Sequence, residues 1–122
     1  MLLRASGERE GRDYDERSVT DPTIDPGVAD GAGLRALTDA AIRGEWLELA
    51  GLRSRSARTL GAQQTVDALV VASAFNGITR VADATGIPLD ENTLTTTTAM
   101  RERTGIQRFD YREKSARYDS GI

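Results

Sequence analysis

Residues 65–90, TVDALVVASAFNGITRVADATGIPLD, decide the fold, because they carry the longest continuous helical pattern in the chain. Thr65 is a candidate N-cap, and Asp67 lies near the positive end of the helix dipole. Gly86 occupies the position of a C′ glycine, and Pro88 cannot continue the helix. The apolar face is wider than a surface helix needs, so we predict that much of this helix is buried. Its two adjoining apolar rows are Val66, Leu69, Val70, Ser73 and Gly77, and Val71, Ala74, Phe75, Ile78, Val81 and Ala82.

Two shorter helices are predicted before the long one. The first runs from Leu34 to Gly44, a residue that favours a helix end. The second runs from Glu45 to Leu60 and is closed by Gly61, because glycine tolerates the left-handed backbone conformation of a C′ position. The apolar residues that define these helices are Leu34, Leu37, Ala41 and Ile42 in the first and Trp46, Leu47, Leu49, Ala50 and Leu52 in the second.

A weaker helix is predicted after the long one, from about Thr93 to Arg103, with Asn92 as its cap and Gly105 at its end. Four consecutive threonines within it lower the helix propensity through β-branching. No strand-like alternation persists along the chain, so the predicted fold class is all-α, a small bundle of about four helices. The residues that this last helix is expected to bury are Leu94, Thr98 and Met100.

The composition divides the chain into three parts. Its 122 residues leave room for one domain. Residues 1–31 carry eight acidic residues and two prolines that interrupt any periodicity, and we predict that they form a flexible polar segment. Residues 32–104 are predicted to form the helical domain, and residues 105–122 a polar C-terminal tail.

Several kinds of chemistry are excluded by composition. The chain has no cysteine and no histidine, which removes disulfides, thiol nucleophiles and the commonest metal ligand, so we predict no cofactor and no metal site. A net charge of −3 and a pI near 5.0 argue against a nucleic-acid partner. No apolar run approaches the roughly 20 residues that span a bilayer, so we predict no membrane partner and a cytoplasmic location.

A polar seam of Asn76, Arg80 and Asp83 runs along the long helix and is followed by Gly86 and Pro88. With their neighbours, these residues resemble the end of the last long helix of the alkylhydroperoxidase D-like family, also called carboxymuconolactone decarboxylase-like. The specific resemblance covers residues 65–90, and a looser one covers residues 34–64. The positions that match the family pattern are Phe75, Asn76, Arg80, Val81, Ala82, Asp83, Ala84, Gly86, Ile87, Pro88 and Leu89.

The resemblance implies a partial alkylhydroperoxidase D-like fold. A complete domain of that family has a preceding helical hairpin with a Cys-x-x-Cys pair, a histidine and an upstream glutamate, which this chain lacks. The chain therefore resembles the C-terminal half of such a domain. The family implies peroxidase or related oxidoreductase activity, but the absence of cysteine and histidine argues against activity of this chain alone. Its catalytic residues stay unknown.

The polar candidates have alternative interpretations. Because Asn76, Arg80 and Asp83 can share one helical face, they form either a polar cluster that lines a site or a structural network that joins helices or subunits. Trp46 is interpreted as a core or interface residue, and Asp90 with its neighbour as a helix cap. Three arginines of the second helix are interpreted as a solvated face rather than an anion-binding patch; they are Arg53, Arg55 and Arg58.

Three functions from different classes follow. The favoured one is a catalytically incomplete alkylhydroperoxidase D-like module that acts as a homo-oligomer or by assembly with a chain that supplies the missing half-domain. The first alternative is a peroxidase-related oxidoreductase of the same family, which detoxifies peroxide through a non-cysteine site or a partner chain. The second alternative is a small helical regulator, for which the long helix is too apolar on its outer face.

Overall fold

The computed structural model describes residues 7–109, and this part of the chain is all-α, as predicted. No β-strand occurs between residues 7 and 109. The described helices are α1 (Gly31–Arg43), α2 (Trp46–Thr59), α3 (Ala62–Thr85), α4 (Glu91–Thr96) and α5 (Thr98–Thr104), with the short 3₁₀ helices η1 (Glu16–Val19) and η2 (Ile106–Phe109).

The described residues form two compact units. Residues 29–81 make up one unit, which contains α1, α2 and most of α3. Residues 7–28 and 82–109 make up the other, which contains η1, α4, α5 and η2. The sequence-based division at residues 31 and 104 stays a prediction, and parts of the predicted N-terminal segment and tail lie outside the described residues.

Glycines end the first two helices as predicted. α1 is closed by Gly44, which has a φ of 73° and donates its backbone N–H to the carbonyls at the end of the helix. α2 ends at Thr59, and Gly61 follows with a φ of 94°. Such positive φ angles place a Cβ too close to the following carbonyl, so glycine is favoured there.

The core of residues 29–81 lies where α1 packs against α2. Leu37 and Ala40 of α1 meet Leu52 of α2, and all three side chains are buried. α3 reaches this core through Leu69, which is partly buried against it. The core is small, because the chain supplies Ala and Leu here and no aromatic residue. The partly buried apolar side chains around it are Ala36, Leu49 and Leu69.

The long helix α3 differs from its prediction in two ways. It begins at Ala62, so Thr65 is not its N-cap; the buried Thr65 hydroxyl instead donates to the Gly61 carbonyl at 2.8 Å. The expected burial of the helix is also wrong, since Thr65 is the one fully buried residue among the described residues of α3. Its end is as predicted, with Gly86 following at a φ of 69°.

The predicted helix after residue 92 is two helices. α4 and α5 are separated at Thr97, and the cap of α4 is Asp90, whose carboxylate accepts from the Thr93 backbone N–H, rather than Asn92. The break follows from the β-branched residues, which disfavour a continuous helix. The expected burial is also wrong: Leu94 and Thr98 are exposed and Met100 is partly buried. The residues that α4 and α5 bury, with the intervening cap, are Thr97 and Thr104.

The other unit is held together by polar contacts between η1 and α5. The Thr20 hydroxyl donates to the Thr104 carbonyl, and Arg103 forms an ion pair with Glu16. Arg108 donates to the Thr20 carbonyl at 2.6 Å. Part of the segment predicted to be a flexible polar N-terminus therefore has defined partners in this unit.

Gly51 and Gly44 form a matched pair for a stability test. A Cβ at Gly51, in an exposed position of α2, would meet nothing within 4 Å, so Gly51→Ala should raise the free energy of unfolding by about 0.5–1 kcal/mol. Gly44→Ala should lower it by about 1 kcal/mol, because alanine is strained at a φ of 73°. Urea unfolding followed by circular dichroism measures both. Equal stability of the two variants would contradict the assigned backbone conformation.

Candidate functional site

The predicted polar seam lies on α3, and its members are divided between the two units. Asn76 is half-buried, whereas Arg80 and Asp83 are exposed. Asn76 and Arg80 belong to the unit of residues 29–81, and Asp83 belongs to the other unit. A shared function for these three residues therefore stays a prediction. Of the three, Asn76 has the clearest structural context, because it lines a cleft.

This cleft lies between α1 and α3 and has a volume of about 690 Å³. Most of its lining is apolar, with Leu34 and Ile42 on one side and Val71 and Phe75 on the other. Such a lining suits an apolar surface better than an ion or a phosphate group. The residues around the cleft are Leu34, Thr38, Ile42, Asp67, Ala68, Val71, Ala72, Phe75, Asn76 and Thr79.

The polar groups at the cleft are largely used by the chain's own helices. The Thr38 hydroxyl donates to the Arg35 carbonyl at 3.0 Å, and the Thr79 hydroxyl donates to the Phe75 carbonyl at 2.9 Å. Asp67 accepts from the Gln63 side-chain amide at 2.8 Å. General acid–base catalysis needs a titratable group with a tuned pKa that faces the reacting atoms. The cleft offers one carboxylate, with an amide as its partner, so its chemistry favours packing over proton transfer.

The outer faces of α3 carry the largest apolar surface of the unit. Leu69 of α3 packs against the core of α1 and α2. Six other large apolar side chains of α3 are between 54% and 67% exposed, and two of them, Val71 and Phe75, line the cleft. The sequence predicted the two apolar rows of α3 and, from their width, that much of the helix would be buried. The exposed side chains are Val66, Val70, Val71, Phe75, Ile78 and Val81.

The second unit contains a charged cluster that sequence reasoning did not single out. The Arg17 guanidinium donates to both carboxylate oxygens of Asp15, and Arg103 is paired with Glu16. These residues line a polar cleft of about 370 Å³. Each positive charge has a negative partner, which is typical of a structural ion-pair network rather than an anion site. The spacing of Asp15 and Arg17 in the sequence is the pattern that could have indicated this ion pair.

The remaining sequence candidates have a structural context as well. Trp46 is 70% exposed, so its interpretation as a core residue is wrong, and its place in an interface stays a prediction. The carboxylate of Asp90 caps α4, as predicted for that position. In α2, three arginines lie on an exposed face, as expected for solvated side chains; they are Arg53, Arg55 and Arg58.

Residues 7–109 contain neither a helix that could span a membrane nor a metal-binding cluster. No helix in this range combines the length and apolar character that crossing a bilayer requires. Over the same residues, no group of three or more metal-ligating side chains is arranged to hold an ion. The surfaces that stand out in the unit of residues 29–81 are therefore the cleft and the exposed rows of α3.

The Asp15–Arg17 contact predicts a defined response to acid. The side-chain hydrogen bonds from Arg17, followed by its backbone N–H, lower the pKa of Asp15 from 3.8 to about 2. A carboxyl whose pKa is depressed by folding stabilises the folded state when it is ionised. This contribution is present above about pH 4 and is lost as the pH falls toward 2.

Asp15→Asn should therefore lower the melting temperature at pH 7 and flatten its dependence on pH between 4 and 2. Thermal unfolding by circular dichroism across this range measures the effect. Asp39→Asn is the control, because it removes the same charge from an exposed pair with Arg43 at 4.0 Å. If both variants followed the same pH profile, the contact would have no special role.

Comparison with known proteins does not assign the chain to a family. No protein-family model, no curated protein and no solved structure matches it. The resemblance of residues 65–90 to the alkylhydroperoxidase D-like family therefore stays a prediction from the residues that carry it.

Proposed function

We propose that this chain is a catalytically incomplete alkylhydroperoxidase D-like helical module that acts through assembly. Its partner is a second copy or a chain that supplies the missing half-domain. The observation that carries the proposal is the exposed apolar surface of α3, where six large side chains are each more than half exposed. Exposed apolar surface concentrated on one helix is typical of a site of association. The resemblance of residues 65–90 to the family supports the same interpretation.

The exposed apolar side chains of α3 supply most, but not all, of the area that a stable interface buries on each partner. Six large side chains that are more than half exposed present on the order of 600 Å², and stable interfaces bury about 800 Å² on each partner. The cleft beside α1 adds apolar surface at Ile42, which is also exposed. Burial of this surface would supply the driving force that the small core of α1 and α2 does not.

The chemistry of the chain favours assembly over catalysis. A disulfide-based peroxidase reduces its substrate with a thiolate, and the chain has no cysteine. It also has no histidine, so a general base with an ordinary pKa near neutrality is absent. In the cleft, the threonine hydroxyls donate to backbone carbonyls of their own helices. The outer face of α3 is apolar rather than basic, which disfavours a DNA-binding regulator.

Ile78→Asp tests the assembly directly. Ile78 is the most exposed of these six side chains, at 67%, and a buried unpaired carboxylate is costly. We expect the wild-type chain to be oligomeric at micromolar concentration in size-exclusion chromatography with light scattering, and the variant to shift to the monomer mass. Leu47→Asp is the control, because Leu47 is 95% exposed on α2 and lies outside the α3 surface.

Two results would count against this proposal. A wild-type chain that is a well-folded monomer by light scattering and binds no apolar dye would show that the α3 surface needs no partner. A shift to monomer caused equally by Leu47→Asp would place the interface elsewhere. Circular dichroism of both variants establishes that each remains helical.

A peroxide assay separates this proposal from the peroxidase-related alternative. The purified chain should not consume an organic hydroperoxide in the presence of a dithiol reductant above the rate of the reductant alone, because no residue supplies a thiolate. Substrate-dependent turnover by the pure chain would support a non-cysteine site and overturn the assignment as catalytically incomplete. The Ile78→Asp variant then shows whether that activity depends on assembly.

A further inference from the structure

The unit of residues 7–28 and 82–109 buries no large apolar side chain among the residues that the structure describes. The buried apolar side chains belong to the other unit, where α1 packs against α2. Because apolar burial is the main favourable contribution to folding, this unit depends on its polar contacts. Its described buried residues are Gly7, Ser18, Gly86, Thr97 and Thr104, and its large apolar side chains left exposed are Val19, Val28, Ile87, Leu89, Leu94, Ile106 and Phe109.

Charged side chains join η1 to the C-terminal part of this unit. Arg103 of α5 forms an ion pair with Glu16 of η1. Arg108 of η2 donates at 2.6 Å to the carbonyl of Thr20, which caps the end of η1. The Thr20 hydroxyl adds an uncharged hydrogen bond to the Thr104 carbonyl. The contact between η1 and α5 therefore rests on charge as well as on hydrogen bonding.

Dissolved ions have access to the Glu16–Arg103 pair. The Glu16 side chain is largely buried, but 45% of the Arg103 side chain is exposed. The screening length of water falls from about 30 Å at 0.01 M salt to about 3 Å at 1 M salt. Salt therefore weakens the attraction in the closed contact and stabilises the two charges when they are separated.

The unit of residues 29–81 has a different basis for its stability. Its core is formed by Leu37, Ala40 and Leu52, and salt does not screen apolar burial. Its ion pair of Asp39 with Arg43 lies within α1 and joins no two helices. Parts of one protein open separately when their contacts differ in strength. A rise in salt should therefore affect the two units unequally.

We propose that the contacts between η1 and α5 form a salt-sensitive latch. Raised ionic strength detaches residues 16–20 from α5, while the unit of residues 29–81 stays folded. The latch goes beyond the proposed function and does not depend on it, because the α3 surface that carries that proposal belongs to the other unit. The chain thereby has a conformational response to ionic strength that is confined to one unit.

Hydrogen–deuterium exchange with mass spectrometry follows each unit separately in the full chain. In η1, the Ser18 and Thr20 backbone N–H groups are bonded to carbonyls at 3.2 and 3.1 Å, so they exchange when η1 opens. In the seven-residue α5, the helix is too short to persist without its contacts. Between about 0.01 M and about 1 M sodium chloride, exchange in residues 16–20 and 98–104 should accelerate by about threefold or more relative to residues 34–59.

Glu16→Gln tests the ion pair, because it removes the charge and keeps the size of the side chain. We expect fast exchange in residues 16–20 already at low salt, and little further change at high salt. Asp39→Asn is the control, because it removes a carboxylate from the ion pair within α1 and should leave the salt response of residues 16–20 unchanged. Glu16→Arg combined with Arg103→Glu restores a pair of opposite charges, so its exchange at low salt should be slower than that of Glu16→Arg alone.

Three results would overturn the latch. Equal acceleration of both units by salt would mean that salt destabilises the whole described chain. A wild-type salt response in Glu16→Gln would mean that the ion pair is not the sensitive contact. Exchange in the double variant as fast as in Glu16→Arg alone would mean that the two charges do not act on each other. None of these results bears on the proposed assembly, which light scattering tests through α3.

Discussion

The packing of α1 against α2 is the contact on which the unit of residues 29–81 depends. It is made by Leu37, Ala40 and Leu52, and these side chains are the buried apolar core of the described residues. α3 is attached to this pair through Leu69 and is otherwise exposed on its apolar faces. A core of this size orients the long helix but does not enclose it. Because this core is small, most apolar side chains of α3 stay exposed.

This arrangement connects the chain's composition to its proposed function. A chain without cysteine or histidine lacks the groups on which thiol-based redox chemistry depends. It has a 24-residue helix whose large apolar side chains are mostly exposed. The half-buried Asn76 lies at the edge of the cleft rather than within a set of catalytic partners. These features are the basis of the proposal that the chain acts through association.

The sequence predicted where the helices end better than it predicted which helix faces are buried. Gly44, Gly61, Gly86 and Gly105 all close helices with positive φ angles, because the backbone conformation at such a position depends on local sterics. Periodicity identified the apolar rows of α3 correctly. It could not identify what covers them, because the pattern of one chain carries no information about which molecule supplies the neighbour.

The errors at helix starts have a local cause. Threonine can cap a helix or donate to a carbonyl four residues earlier, and the two uses give similar sequence patterns. Thr65 takes the second option, and α3 begins at Ala62, four residues before the start that a cap at Thr65 predicts. Two residues near the start of α4 could cap it. The Asp90 carboxylate accepts from the Thr93 backbone N–H, whereas Asn92 was predicted as the cap. The sequence predicted a candidate site on one face of α3. It did not predict the cleft, because the cleft depends on how α1 and α3 lie relative to each other.

The contact between η1 and α5 also determines when each unit can form during synthesis. Residues 29–81 are continuous in the chain, so this unit can fold once α3 has left the ribosome. The other unit joins Glu16 to Arg103 and Thr20 to Thr104, residues separated by 84 positions or more. Residues 16–20 can therefore form these contacts only after residues 103–104 have been synthesised. They find these contacts only after all residues of the unit 29–81 have been made.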